Sequence, residues 1–188
     1  MMLNLPNILA ILRVFLAPLF FYLLIIAGSN EISTSGIHTS WINFAAAFVF
    51  VIASVTDFFD GFIARNWNQI TKFGAIIDPL ADKMLTLAGF LGLMYIGRAN
   101  PWAVYLILIR EFFITGFRTV MLSENIEVSA SMAGKVKTVF QMIAIGFLTM
   151  QWIFGSMLLW IAVILTVYSG FEYIKAYAKF HKVIKENN

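Results

Sequence analysis

The sequence predicts an all-α, polytopic membrane protein with six transmembrane helices. Three observations predict it. Of the 188 residues, 61% are hydrophobic and 12% are charged, whereas a soluble domain is nearer half apolar and about a quarter charged. The apolar residues fall in runs of roughly 20, the length that crosses a bilayer, separated by short polar segments. Lys and Arg collect at alternate ends of those runs, as they do in cytoplasmic loops. The spans leave no room for a large soluble domain, so residues 1–188 are expected to form one integral-membrane domain.

The first span runs from Leu3 to Ala27. Pro6 suits a helix start, Pro18 is a candidate kink, and Arg13 is expected to snorkel or to face a polar cavity. No basic segment precedes the apolar run Ile8–Ala27, which is longer than the core of a signal peptide, so a retained helix is expected. Gly28–Ser40 is a polar loop without Lys or Arg. Trp41 to about Ala64 forms the second span, and Arg65–Phe73 a short polar connection. The third span covers Gly74 to Gly97, with a start or kink expected where Pro79 disfavours the α conformation at Asp78. A turn at Gly97–Pro101 leads to the fourth span, Trp102–Leu122, which contains Arg110, Glu111 and Arg118. After the polar segment Ser123–Ser129, the fifth span runs from Ser131 to Ile153 with Lys135 and Lys137 in its first turns. Gly155 marks a turn before the sixth span, Ser156–Tyr177. In the basic tail, Lys175, Lys179, Lys182 and Lys185 recur at helical spacing, suited to anionic headgroups or to a solvated helix end.

Orientation follows from the cations. Arg13, Arg65, Lys72, Lys83, Arg118, Lys135, Lys137 and the tail lysines fall at one set of ends, and Arg98 alone at the other. Both termini are therefore expected in the cytoplasm; the compact chain and the absence of a targeting peptide favour a bacterial plasma membrane over an organelle of bacterial descent. Trp41, Trp67, Trp102 and Trp152 lie near span ends, as an interfacial aromatic belt requires.

The net charge of +3 is too small to suggest a nucleic-acid partner, and the absence of cysteine excludes disulfides and thiolate metal sites. His38 and His181 lie far from the acidic residues and are expected at the surface. Any metal at the acidic residues would bind through oxygen, which favours Mg²⁺, Mn²⁺ or Ca²⁺.

Four of the ten acidic residues sit in one stretch: Asp57, Asp60, Asp78 and Asp82. Carboxylates beside hydrocarbon are costly and need partners, water or cations. The pairs at i,i+3 and i,i+4 each place both side chains on one helix face. Such a cluster can bind a metal that handles phosphates, carry ions as a transporter does, or pair structurally with Arg65, Lys72 and Lys83. Gly61 and Ala64 would let a ligand or a neighbouring helix approach the backbone closely. On the same side, Arg110, Arg118, Lys135 and Lys137 offer a cationic site. An Arg110–Glu111 pair explains the buried arginine poorly, and an anionic group entering between spans would supply a better partner.

The stretch reads D-x2-D-G-x2-A-R-x8-G-x3-D-x3-D, through Asp57, Asp60, Gly61, Ala64, Arg65, Gly74, Asp78 and Asp82. It resembles the signature of the CDP-alcohol phosphatidyltransferase family. The resemblance implies a fold of six transmembrane helices, a homodimer, and a site open to the cytoplasmic leaflet. It implies transfer of a phosphatidyl group from a CDP-linked lipid to an alcohol, with release of CMP. Asp57, Asp60, Asp78 and Asp82 would hold two divalent ions, Mg²⁺ or Mn²⁺. Asp57, Asp60, Gly61, Ala64, Arg65 and Gly74 would contact CDP, and Asp82 would be the general base. IREFFITGFR (Ile109–Arg118) and GKVKT (Gly134–Thr138), followed by Gln141, are similar to the branch of the family whose acceptor is glycerol 3-phosphate. That implies CDP-diacylglycerol and glycerol 3-phosphate as substrates, with Arg110, Arg118, Lys135 and Lys137 on the acceptor phosphate. The start, PNILAILR, matches that branch at Asn7 and Arg13. Ala10 departs from it where Thr is common, and Thr119 where an acidic residue is frequent. Sister transferases that use inositol phosphate or serine, and an ion-coupled transporter, are the alternatives. Asp82→Asn is expected to abolish turnover in protein that remains folded; near-normal CMP release by this variant would remove Asp82 as the base.

Overall fold

A backbone surrounded by hydrocarbon can satisfy its amides only internally, and runs of Leu, Ile, Phe and Ala do so as helix. The computed structural model describes the backbone of residues 5–29, 39–66, 72–123 and 132–186, and the side chains of 7–29, 39–57, 77, 80–121 and 132–175. Among these residues there are six helices: α1 (Leu5–Gly28), α2 (Thr39–Asn66), α3 (Lys72–Tyr95), α4 (Pro101–Ser123), α5 (Met132–Thr149) and α6 (Gly155–Glu186). Three are apolar enough by composition to cross a membrane, over Asn7–Gly28, Thr39–Asp57 and Gly155–Lys175. The others carry Asp78 and Asp82 of the acidic motif or the Arg110, Glu111, Arg118, Lys135 and Lys137 charges, which lower their hydropathy.

The boundaries differ from expectation at the start of α3 and at the ends of α5 and α6. α3 starts at Lys72 and not at Pro79, because helix on both sides outweighs the local bias at Asp78; α1 is continuous past Pro18. α6 extends into the basic tail as far as Glu186. α5 stops at Thr149, short of Ile153. Trp67 and His38 lie outside the described residues, and so does the side chain of His181.

The chain divides into two compact units: residues 1–99 with 145–155, and residues 100–144 with 156–188. In the first unit α1 packs against α2 and α3. Its buried positions are Asn7, Ala10, Arg13, Ala17, Phe20, Leu24 and Ala27, a repeat of three and four that forms one seam. The matching seam of α2 is Asn43, Ala46, Phe50 and Ala53. Phe20 meets Phe50 with ring centroids 5.1 Å apart, and Arg13 meets Asp57. Descending numbers on α1 thus meet ascending numbers on α2, so the two run antiparallel. α3 lies parallel to α1, and a Cβ added at Gly92 would fall 2.7 Å from Leu24 Cδ1. Small residues in a seam allow this close approach, the main source of helix association in lipid. The faces turned away carry Phe15, Leu19 and Tyr22 on α1 and Trp41, Phe44, Phe48 and Val51 on α2, all exposed, as a hydrocarbon solvent permits.

Two helix ends in this unit share one design. After α3, the Arg98 amide donates to the Leu93 carbonyl at 2.8 Å and that of Gly97 to Met94 at 3.1 Å, with Gly97 at φ +74. After α5, Trp152 donates to Phe147 at 2.9 Å and Gln151 to Leu148 at 3.2 Å, with Gln151 at φ 59. Both are Schellman caps, in which a left-handed residue closes the helix. Gln151 adopts a conformation unusual for a residue with a Cβ, and Arg98 holds it there. With the Gln151 amide oxygen facing Arg98, it accepts from Nε at 3.0 Å and Nη2 at 2.7 Å. Arg98 Nη1 also donates to Asn43 Oδ1 and to the Thr149 carbonyl, both at 2.9 Å. Burial pushes its guanidinium below the usual pKa, yet an arginine stays charged. The one cation that departs from the charge bias is thus a staple joining α2, the α3 cap and the α5 cap. Arg98→Met is expected to lower stability by about 2 kcal/mol, since it strips partners from buried acceptors; thermal unfolding in detergent micelles measures this, and an unchanged midpoint would refute the staple.

Candidate active site

Asp57 continues the packed seam of α2. Counting by three and four from Asn43 through Ala46, Phe50 and Ala53 leads to Asp57, then to Asp60 or Gly61, and then to Ala64. On a helix these positions form one stripe. The backbone of Asp60, Gly61, Ala64 and Arg65 lies in α2, and that of Gly74 and Asp78 in α3, while the side chains of all six lie outside the described residues. On α3, Gly74, Asp78, Ala81 and Leu85 follow the same progression, with Ala81 and Leu85 buried. Among the described residues of the motif, Asp57 therefore lies on the register of the α2 seam.

The structure pairs Asp57 with Arg13 of α1. Arg13 has 0% exposure, and the Asp57 side chain 36%. Snorkelling is excluded; the polar neighbour is a carboxylate. The depths agree: Arg13 sits about 12 Å from the start of α1, and Asp57 about 13 Å from the end of α2, at 1.5 Å per residue. The expected structural partners of the acidic residues are Arg65, Lys72 and Lys83. Among described residues the ion pair of Asp57 is instead with Arg13, which sequence spacing could not reveal because 44 residues separate them. Asn7, also buried, lies two turns before Arg13 on the same seam. Asp82 is partly buried on α3, where Thr86 Oγ1 donates to its backbone carbonyl at 3.2 Å.

The donors in the motif are carboxylate oxygens, which suit a hard divalent cation. Asp57 fits that use: it is engaged by Arg13 through Oδ1 and keeps a third of its side chain accessible. No group of three acidic or histidine side chains is found among the described residues, which do not include the side chains of Asp60 and Asp78.

The second unit holds a polar cluster within apolar helices. Arg110 and Glu111 are neighbours on α4 and so point about 100° apart. Glu111 turns to α5, where Oε1 accepts from Lys137 and from Gln141 Nε2 at 3.4 Å. Arg110 turns to α6, where Nη2 donates to Ser169 Oγ at 2.7 Å. Its link to Glu111 is longer, 3.4 Å. Gln141 Nε2 also donates to Thr166 Oγ1 at 2.9 Å, and Ser169 Oγ donates to the Thr166 carbonyl at 3.0 Å. Lys137, Gln141, Thr166 and Ser169 are all buried. At Gly170, an added Cβ would lie 3.3 Å from Arg110 Nε, so the missing side chain makes room for the guanidinium.

Of the four expected phosphate ligands, Arg110 and Lys137 meet at Glu111, while Arg118 and Lys135 are exposed. Lys135 and Lys137 lie about 200° apart around α5, so one helix face cannot present both. Sequence reasoning named Glu111 only as a partner of Arg110 and did not identify Thr166, Ser169 or Gly170. The signal was present: Thr166, Ser169, Gly170 and Tyr173 recur at helical spacing inside an apolar span.

The profile of the family described as CDP-alcohol phosphatidyltransferase matches residues 3–168. A Bacillus subtilis protein named CDP-diacylglycerol--glycerol-3-phosphate 3-phosphatidyltransferase is 37% identical over 198 residues, covering 100% of both chains. A protein of the same name from Rickettsia felis is 36% identical over 189 residues, covering 94% of this chain and 97% of its own. Another, from Shigella flexneri serotype 5b, is 37% identical over 190 residues, covering 94% and 96%.

The ion pair of the first unit is unequal. Asp57→Ala removes a carboxylate that meets a fully buried cation and is expected to cost about 3 kcal/mol. Arg13→Met leaves a carboxylate that water can reach and is expected to cost about 1 kcal/mol. Unfolding of both variants in micelles tests this order, and equal losses would contradict it.

Proposed function

The chain belongs to the CDP-alcohol phosphatidyltransferase family, and on that premise we propose that it transfers the phosphatidyl group of CDP-diacylglycerol to glycerol 3-phosphate. The products are phosphatidylglycerophosphate and CMP, a step of phospholipid synthesis. Full-length similarity to proteins named for this reaction carries the choice of acceptor. The buried cations Arg110 and Lys137 favour it as well, because an acceptor with a phosphate suits them and a neutral alcohol does not.

In the proposed reaction the acceptor's hydroxyl oxygen attacks the phosphorus of the phosphatidyl group. The bond from that phosphorus to the bridging oxygen of CMP breaks, and CMP leaves with the electron pair. Asp82 takes the hydroxyl proton, a role worth about 10²–10⁴-fold in rate. Displacement is direct, since no Ser, Cys or His stands within the motif as a nucleophile. Asp57, Asp60, Asp78 and Asp82 would hold two divalent ions, Mg²⁺ or Mn²⁺, which when bound offset the charge of the diphosphate oxygens. Gly61, Ala64, Arg65 and Gly74, with Asp57 and Asp60, line the place for CDP; the small side chains among them suit close approach of a nucleotide. Asn7 and Arg13 act at the same end of the first unit, with Arg13 orienting Asp57. Arg110, Arg118, Lys135 and Lys137 serve the acceptor's phosphate.

All six helices cross the membrane in this reading, with both termini and the site on the cytoplasmic side of a bacterial plasma membrane. Exposed apolar residues on the less hydropathic helices support it: Tyr105, Ile109 and Phe112 on α4, and Val136, Val139 and Ile143 on α5. Residues 1–188 act as one integral-membrane domain and pair as a homodimer.

Purified membranes supplied with CDP-diacylglycerol and labelled glycerol 3-phosphate, inositol phosphate or serine test the assignment. CMP is expected in step with consumption of glycerol 3-phosphate alone, and chelation of divalent ions is expected to stop it. Preference for another alcohol would overturn the acceptor, and ion flux in sealed vesicles without CMP would overturn the reaction.

A further inference from the structure

Glu111 makes its closest contact away from the neighbour that sequence order gives it. Its Oε1 accepts most closely from Lys137 of α5, and at 3.4 Å from both Gln141 and Arg110. The two cations have side chains only 9% and 10% exposed, and Glu111 22%. Two cations and a carboxylate therefore meet in a low-dielectric setting, where a phosphate would form strong charge-assisted hydrogen bonds. Arg110 is also held from a second direction, by Ser169 at 2.7 Å, with Gly170 leaving it space. Glu111 itself is steadied by Gln141, which Thr166 anchors at 2.9 Å.

We propose that Glu111 is a positioning residue for the acceptor's phosphate, fixing Lys137 and Arg110 so that their remaining donors meet that anion. The proposal rests on the reading that glycerol 3-phosphate is the acceptor. A lysine ammonium on a four-carbon stem has many rotamers, and fixing it before the ligand arrives removes that cost from binding. The carboxylate is the element that fixes it. Its negative charge also opposes the phosphate at longer range, and the proposal commits to positioning as the larger effect, because both cations are buried and are held through donors of defined direction.

The test uses the full-length enzyme in micelles containing CDP-diacylglycerol. Glu111→Gln is expected to raise KM for glycerol 3-phosphate about tenfold or more, the scale of a charge-assisted hydrogen bond, with kcat falling by less than KM rises. KM for CDP-diacylglycerol should stay near the wild-type value, and inhibition by inorganic phosphate should weaken in parallel. Glu111→Asp should recover part of the loss. Gln141→Met keeps every charge and serves where Glu111→Gln does not fold; a rise in KM of about threefold is expected from the loss of its long bond to Glu111 and its bond to Thr166. A KM for glycerol 3-phosphate that is unchanged or lower in these variants would overturn the proposal, the lower value identifying Glu111 as a competitor of the phosphate. Wild-type enzyme that does not consume glycerol 3-phosphate would instead overturn the acceptor assignment.

Discussion

A guanidinium sealed inside a helix seam needs an anion within reach, and Asp57 supplies it to Arg13. The rest of the first unit is arranged around that need. Ala10 and Ala17 flank Arg13 on α1, and Ala53 precedes Asp57 on α2, so the backbones can come close enough for the charges to touch. The phenylalanine pair one layer away fills the space the alanines leave. Because Arg13 and Asp57 lie at matching depths, the contact also fixes how far α1 and α2 can slide along each other. The carboxylate that belongs to the acidic motif is thus held by packing before any substrate arrives.

The second unit solves a related problem differently. Here the charges do not share a seam of small residues; they are linked by neutral donors and acceptors. Gln141, Thr166 and Ser169 form a bridge from α5 to α6, and Arg110 and Lys137 attach at its two ends through Ser169 and Glu111. Networks of this kind are costly when incomplete and rigid when complete. In both units, then, these buried charges have resident partners on another helix.

Much of this could be read from the sequence. The helices followed from composition and run length, and the motif from eight residues at fixed spacing. The glycine cap at Gly97 was legible as a turn, because glycine accepts a positive φ without cost. The matching cap at Gln151 was not: no glycine marks it, and the residue that stabilises it, Arg98, lies 53 positions away. The Arg13–Asp57 and Lys137–Glu111 pairs were missed for the same reason. Spacing reveals partners on one helix, whereas these partners lie on different helices. Pro79 misled in the opposite direction, since a local preference against helix at Asp78 gave way to the helix around it.

Gly170 acts through the side chain it lacks. Its α-carbon faces the Arg110 guanidinium where even a methyl group would sit 3.3 Å from Nε. The residues on either side, Ser169 and Phe171, lie about 100° around the helix, and neither could take that place: one is the hydrogen-bonding partner, and the other is too large. α6 is therefore notched at this point to seat the arginine of α4. Its backbone continues as helix from that contact to Glu186, so the position of α6 against α4 is carried along the same rod.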